Sequence, residues 1–280
     1  MAKINWFPGH MAKTLRTLAD EIKNIDIVIY VLDARAPKSS INPEFISIIG
    51  DKPIIYVFNK IDLVNELDIN DFKNSLKTEK TDVITINSTL NGGIKKIEPL
   101  MVSLCKAKLD KYKSKGLKIN LRAMVIGVPN SGKSTLINNL CGVKKTITGD
   151  KAGVTRGKQW VALKNGFEVL DTPGTLYPNI TNQNIARNLA LIGSIKNEVV
   201  DMGELCIDLL NYCKKHYYKN LQEKYQIKDS YDTTLEMLED IAIKKNFLLK
   251  GGDIDYDKTC FAVIDDFRKG RLDKIYLEHK

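Results

Sequence analysis

The chain has 280 residues, 43% hydrophobic and 28% charged, a balance that excludes wholesale disorder and suits about two domains. No run approaches the roughly 18 unbroken apolar residues of a membrane helix. The opening Met1–His10 lacks the apolar stretch of a secretory signal, so the chain is expected to stay where it is made. The net charge is +9, but residues 1–196 carry +12 and residues 197–280 carry −3, which suggests a polyanionic partner such as nucleic acid for the first two-thirds.

In chain order, Asp26–Asp33, Pro53–Phe58, Asp82–Ile86, Leu121–Gly127, Gln159–Leu163 and Phe167–Leu170 read as strands. Most are continuous Val/Ile runs, the pattern of strands covered on both faces, so a largely parallel sheet is expected. Asn65–Lys77, Gly93–Lys113 and Ser134–Leu140 read as helices between strands, giving βαβ logic. Lys164-Asn165-Gly166 parts the last two strands, and Asn-Gly there predicts an antiparallel hairpin. After about Asn197 apolar residues recur every three or four positions, in Val199–Tyr225, Thr233–Leu248 and Asp257–Lys269, which predicts a small helical domain. Lys106, Lys108, Lys111, Lys113, Lys115, Lys118 and Arg122 form a basic run opposed by Asp110 alone, a candidate row of phosphate partners. Five scattered cysteines without a CxxC read as reduced thiols.

Gly127-Val128-Pro129-Asn130-Ser131-Gly132-Lys133-Ser134 fits G-x-x-x-x-G-K-[ST], between a strand-like run and a helix-like run that begins at Thr135. The glycines let backbone N–H groups curl round a phosphate, and the helix N-terminus adds partial positive charge. Lys133 would bridge the β- and γ-phosphates, and Ser134 would offer its hydroxyl to Mg²⁺. Asp171-Thr172-Pro173-Gly174 follows the second hairpin strand. Asp171 could hold the Mg²⁺ water shell, and the Gly174 N–H could reach the γ-phosphate. Thr155, in the polar loop between the two motifs, could ligate Mg²⁺ through its hydroxyl and the γ-phosphate through its N–H, with Thr146 and Thr148 as rivals.

Asn59-Lys60-Ile61-Asp62 follows the second strand. A carboxylate at that strand end accepts from N1–H and N2–H₂ of guanine, donors that adenine lacks, so the pair should select guanine strongly. The Lys60 stem could lie over the base. Asn87-Ser88, after the third strand, offers a second base loop whose N–H groups would face guanine O6.

These motifs stand in an unusual order, the base motif about seventy residues ahead of the P-loop. Joining the ends of an open α/β sheet and cutting it elsewhere keeps every loop on the same edge, so the site survives the rearrangement. The chain then leaves Asp171–Gly174 straight into the helical region, and nucleotide state is expected to be relayed through that tether.

In this order the residues resemble the circularly permuted GTPases of the YlqF/YawG group. Trp6-Phe7-Pro8-Gly9-His10-Met11-Ala12-Lys13, Asp33-Ala34-Arg35-Ala36-Pro37, Thr148-Gly149-Asp150, Gln159-Trp160 and Asp171-Thr172-Pro173-Gly174 carry the likeness densely over residues 4–177. It continues at Gly251-Gly252 and Asp265–Leu272, where that family ends in a helical RNA-binding domain. The resemblance implies an N-terminal segment and helix carrying His10 (1–24), a circularly permuted P-loop GTPase domain with a mostly parallel sheet and helices on both faces (25–180), and a small all-α domain (197–280). It also implies a role in assembly of the large ribosomal subunit with particle-stimulated GTP hydrolysis, K⁺ dependence and rRNA as partner, while the motif residues imply Mg²⁺, and a cytoplasmic monomer is expected. Ordinary GTPases orient the attacking water with a Gln after the DxxG motif. Here Thr175 and Leu176 occupy that place, and the resemblance offers His10 instead, with Lys133 and Thr155 completing the catalytic set. Asn130 resembles the residue that coordinates K⁺. The sequence departs from the family's usual pattern at Lys151-Ala152, Thr175 and Tyr177. A signalling or membrane-associated GTPase and a P-loop phosphotransferase are the alternative readings. The first lacks a lipidation motif, and Asn59 and Asp62 speak against the second.

Overall fold

A computed structural model describes residues 10–90, 95–141, 159–163, 167–172, 174, 176 and 180–279, with the backbone alone for 10–14 and 159. Six strands, β1 (Ile27–Asp33), β2 (Ile54–Asn59), β3 (Thr81–Ile86), β4 (Leu121–Ile126), β5 (Gln159–Ala162) and β6 (Phe167–Asp171), form one sheet in the order β3-β2-β1-β4-β6-β5. Every neighbouring pair is parallel except β5 with β6. The expected parallel sheet with one hairpin is therefore the observed one, and the hairpin turn at 164–166 lies outside the described residues.

The described helices are α1 (His10–Glu21), α2 (Pro43–Ile49), α3 (Glu66–Ser75), α4 (Ile97–Leu104), α5 (Lys106–Lys113), α6 (Lys133–Cys141), α7 (Gln183–Leu191), α8 (Met202–His216), α9 (Tyr218–Tyr225), α10 (Thr234–Lys244) and α11 (Tyr256–Arg268). All seven positions of β1 and all six of β2 are buried, as strands covered on both faces must be. Alternation divides β1 between two cores. Ile27, Ile29 and Val31 pack with Ile97, Met101, Leu136 and Ile137 of α4 and α6, while Val28, Tyr30 and Leu32 pack with Leu15, Leu18, Phe45, Ile49 and Ile69 of α1–α3.

The segment 93–113, expected as one helix, is two. They part at buried Cys105, because α4 buries Ile97 and Met101 whereas α5 buries no side chain. Tyr217, at φ −143°, similarly divides the long helix expected to Tyr225 into α8 and α9. Two helices lie outside the sequence reading. α2 is seven residues long, too short to show a period, and starts at an Asn42 cap whose side chain accepts from Glu44 N. α7 starts at an Asn182 cap and turns its apolar side toward the helical region. The third core gathers α7 to α11, with Leu189, Leu205, Leu209, Met237, Ile241, Val263 and Phe267, and takes in Ala36 and Val128 from two loops of the sheet. It therefore begins before residue 197. No described helix is long and apolar enough to cross a membrane.

Candidate functional site

In an open α/β sheet, ligands gather beyond the carboxyl ends of the strands, beside the point where strand order reverses. Here that point lies between β1 and β4. Register sets the neighbours: Asp33 is paired with Asn59, Asn59 with Ile86, and Val125 with Asp171. The ends of β1, β2, β3, β4 and β6 thus open on one edge. Both expected motifs, and the expected acidic residue, stand there.

Asn59 joins the two motifs. Only 1% exposed, it donates through Nδ2 to Ser131 O in the P-loop (2.7 Å) and accepts through Oδ1 from Ser88 N (2.9 Å). One amide thereby holds the end of β2, the loop after β3 and the P-loop in a fixed relation across 72 residues of chain. Gly132, at φ 96°, allows this approach, since a Cβ there would collide with Asn59 Nδ2. The Ser88 N–H, expected to face guanine O6, is instead engaged by Asn59, and Asn87 Oδ1 accepts from Thr89 N and Oγ1. The Asn87–Ser88 loop thus supports Asn59.

Lys60 takes a left-handed backbone, φ 61°, and its ammonium pairs with Asp33 Oδ2 at 2.9 Å. Ile61–Leu63 forms a single 3₁₀ turn that leaves Asp62 exposed at the strand edge. The sequence reading gave Asp33 and Arg35 no role, yet they anchor this loop. Arg35, 1% exposed, donates through Nε and Nη2 to the two Asp33 oxygens at 2.9 and 2.8 Å. Burial by itself would raise the Asp33 carboxyl, but Arg35 and Lys60 overturn this and hold it well below the usual carboxylate range. A signal did exist, since charged residues at positions 33 and 35 directly follow an unbroken apolar run.

At the P-loop end, α6 begins at Lys133, directing its first-turn N–H groups toward the P-loop. Ser134 and Thr135 form its first turn. The Lys133 ammonium, almost fully buried, donates to the carbonyls of Gly127 (3.0 Å) and Val128 (2.9 Å). Asp171 lies at the end of β6 with both carboxylate oxygens buried and neither completing a hydrogen bond among the described residues. Burial raises its carboxyl, while Lys133 and the Ser134 hydroxyl act to lower it. Burial likewise lowers the Lys133 ammonium, and Asp171 opposes that. Thr172 Oγ1 donates to Val125 O at 2.7 Å, fastening the Asp171–Gly174 segment to the P-loop strand. A Cβ on Gly174 would lie 2.8 Å from both Lys133 Nζ and Pro129 Cα. The Gly174 backbone therefore stands against the P-loop, where only glycine fits.

A buried carboxylate beside a half-buried hydroxyl offers the oxygen ligands that a hard divalent cation takes. Ser134 and Asp171 accordingly fit Mg²⁺. Asn130, at φ 59°, commits its amide nitrogen to Gly193 O at 2.6 Å, so a cation at Asn130 would have to use the amide oxygen. Thr155 and its rivals Thr146 and Thr148 lie outside the described residues, as do Trp6–Gly9, Pro173, Thr175 and Tyr177. His10 is the first residue of α1, with its backbone alone described.

A family model described as 50S ribosome-binding GTPase matches residues 122–248, the half that carries the P-loop. One described as Ethanolamine utilisation - propanediol utilisation matches residues 8–102, the half that carries Asn59–Asp62. The chain is 38% identical over 276 residues to ribosome biogenesis GTPase A of Bacillus cereus, covering 98% of this chain and 93% of that protein. It is 30% identical to the protein of the same name from Thermotoga maritima, covering 98% and 94%. The crystal structure of GNP-bound YlqF from T. maritima superposes with a TM-score of 0.62 at 26% identity, over 95% of this chain and 98% of that one.

Proposed function

Since the chain belongs to the ribosome biogenesis GTPase A family, we propose that it binds and hydrolyses GTP as an assembly factor for the large ribosomal subunit, with turnover stimulated by the particle. The single observation that carries the nucleotide reading is the Asn59 amide, which ties a guanine-type loop to a phosphate-type loop at one sheet edge. Loops joined in this way can grip the two ends of one molecule.

The base lies along the Lys60 stem, with Asp62 accepting from its N1–H and N2–H₂, and Ile61 and the Asn87–Ser88 loop beside it. The phosphates sit in the P-loop against the N–H groups of Asn130, Ser131, Gly132, Lys133, Ser134 and Thr135. Lys133 exchanges the two P-loop carbonyls for β- and γ-phosphate oxygens and stabilises the charge that develops in transfer. The Gly174 N–H, on a backbone that stands against the P-loop, marks the γ-phosphate. Ser134, Thr155 and Asp171 would hold Mg²⁺, which would supply charge neutralisation. With Thr175 in place of Gln, the isolated protein orients water poorly and turns over slowly. His10, at the start of α1, supplies the missing group when the particle docks. The Asn130 amide oxygen would meet K⁺, which would supply a further positive charge.

Lys106, Lys111 and Lys113 of α5, all exposed, then Lys115, Lys118 and Arg122, offer contacts to rRNA phosphates. The α7–α11 domain is the second RNA contact, through local patches such as Lys244-Lys245 and the exposed Lys269 and Arg271. We place the protein in the cytoplasm, as a monomer working on the subunit precursor.

The test is GTP turnover with and without purified large subunits, in KCl and in NaCl, with ATP as competitor. The expected result is slow basal hydrolysis, acceleration by subunits, a higher rate in KCl and no competition by ATP. His10→Ala should abolish the acceleration and spare GTP binding. ATP competing equally with GTP would overturn the guanine assignment.

A further inference from the structure

The sequence suggested that nucleotide state reaches the helical domain through the chain that follows Gly174. The described contacts give a second route. The end of α11 and the turn after it, Phe267 to Gly270, reach the base loop through Arg35 and Leu63 and the P-loop through the end of α7.

On the base side, Arg35 is the connector. The guanidinium that forks onto Asp33 also donates through Nη1 to the carbonyls of Phe267 (3.3 Å) and Arg268 (3.2 Å), and it lies 4.9 Å over the Phe267 ring. These carbonyls are the negative end of α11, so one buried cation is shared between that helix and Asp33. Asp33 in turn holds Lys60 at 2.9 Å, in a left-handed conformation that a lysine does not favour. The far end of the same loop is gripped too. Ile275 N donates to Leu63 O at 3.0 Å, and Gly270 packs so close that a Cβ there would collide with the Leu63 side chain.

On the phosphate side, Arg268 donates through Nε to Leu191 O (3.0 Å) and through Nη2 to Ala190 O (2.7 Å), capping α7. The turn beyond α7 then reaches the P-loop: Asn130 Nδ2 donates to Gly193 O, and Ser194 Oγ donates to Pro129 O at 2.7 Å. Val128 of the P-loop is buried in the helical core itself.

We infer that Arg35 is a positioning residue for guanine recognition, seated by the end of α11, so that moving the helical domain off its seat loosens guanine nucleotides. The inference rests on the guanine site described under Proposed function and adds its regulation. Coupling of this kind is reciprocal: nucleotide tightens the seat of the helical domain to the degree that an unseated domain weakens nucleotide. A particle that engages α7–α11 would therefore change nucleotide release without touching the nucleotide.

The experiment measures release of a fluorescent GDP from the full chain, together with the ratio of GDP to IDP affinity. IDP lacks the 2-amino group that Asp62 accepts from, so a displaced base loop narrows this ratio, whereas a purely phosphate-side defect leaves it unchanged. Arg35→Lys keeps the charge and loses the fork. Release should rise on the order of tenfold, within the usual range of coupling between sites, and the GDP preference should shrink. Gly270→Ala leaves the buried ion pair intact and wedges a methyl against Leu63, and it should act in the same direction. If Arg35→Lys fails to fold, Gly270→Ala decides. Folded variants that release GDP at the wild-type rate with an unchanged GDP/IDP ratio would overturn the inference while leaving the guanine site standing. Wild-type protein that holds ADP as firmly as GDP would instead overturn the guanine site, and the inference with it.

Discussion

Two carboxylates end strands at the same edge of the sheet, and both are fully buried. Asp33, on the base side, is surrounded by Arg35 Nε, Arg35 Nη2 and Lys60 Nζ, all within 2.9 Å. Asp171, on the phosphate side, completes no hydrogen bond among the described residues, and the nearby Lys133 ammonium donates to P-loop carbonyls. Of the five buried side-chain atoms without a partner among the described residues, three belong to Asp171 and Ser131. The contrast separates scaffold from chemistry. A buried charge that is fully paired fixes geometry, whereas one that is poorly satisfied can take a new positive partner.

The largest break in this comparison comes from Lys133→Ala. It should lower GTP turnover by about 10²–10³-fold, checked by phosphate release at saturating GTP, with little loss of stability because the residue's present partners are backbone carbonyls. Next comes Asp33→Ala, which leaves Arg35 buried without its carboxylate. It should cost about 3–5 kcal/mol of stability, read by chemical denaturation of nucleotide-free protein. Asp62→Ala should spare the fold, since the residue is exposed. Calorimetry should show GTP affinity falling by about 1–3 kcal/mol, the range for an unpaired recognition group.

A finer test uses neutral isosteres. Asp33→Asn should destabilise the nucleotide-free protein and Asp171→Asn should stabilise it, both read from melting temperatures. Equal signs would mean that the two sites do not differ as described. The smallest effect is the pH dependence, which takes opposite signs at the two sites. The Asp33 carboxyl is depressed in the fold, so its contribution is fully present above the unfolded value near 4 and fades as pH falls below it. The Asp171 carboxyl is raised to about 6 by burial. The folded protein holds that proton longer than the unfolded chain, so stability falls as pH rises from about 4 to 6. The Asp171→Asn variant should lack that fall, which melting curves between pH 4 and 7 would reveal.

The strands were legible because their apolar runs are long, and the hairpin because its turn residues are specific. The division of α4 from α5 was not, because basic residues of high helix propensity continue through Cys105 while the buried face ends there. Helix α7 was missed because the side it buries faces another helical layer, so its pattern has no strand partner to announce it. The role of Arg35 was equally hidden, since its function depends on the carbonyls of Phe267 and Arg268, more than 230 residues away.

The sequence by itself determined the Gly127–Ser134 motif, the Asn59–Asp62 motif and the parallel sheet that brings them to one edge, because backbone curvature, donor pattern and burial period are local properties of the chain. The tertiary structure alone decided which charged groups are paired. Whether a carboxylate such as Asp33 or Asp171 is satisfied depends on which distant donors the fold delivers to it, and no spacing along the chain encodes that delivery.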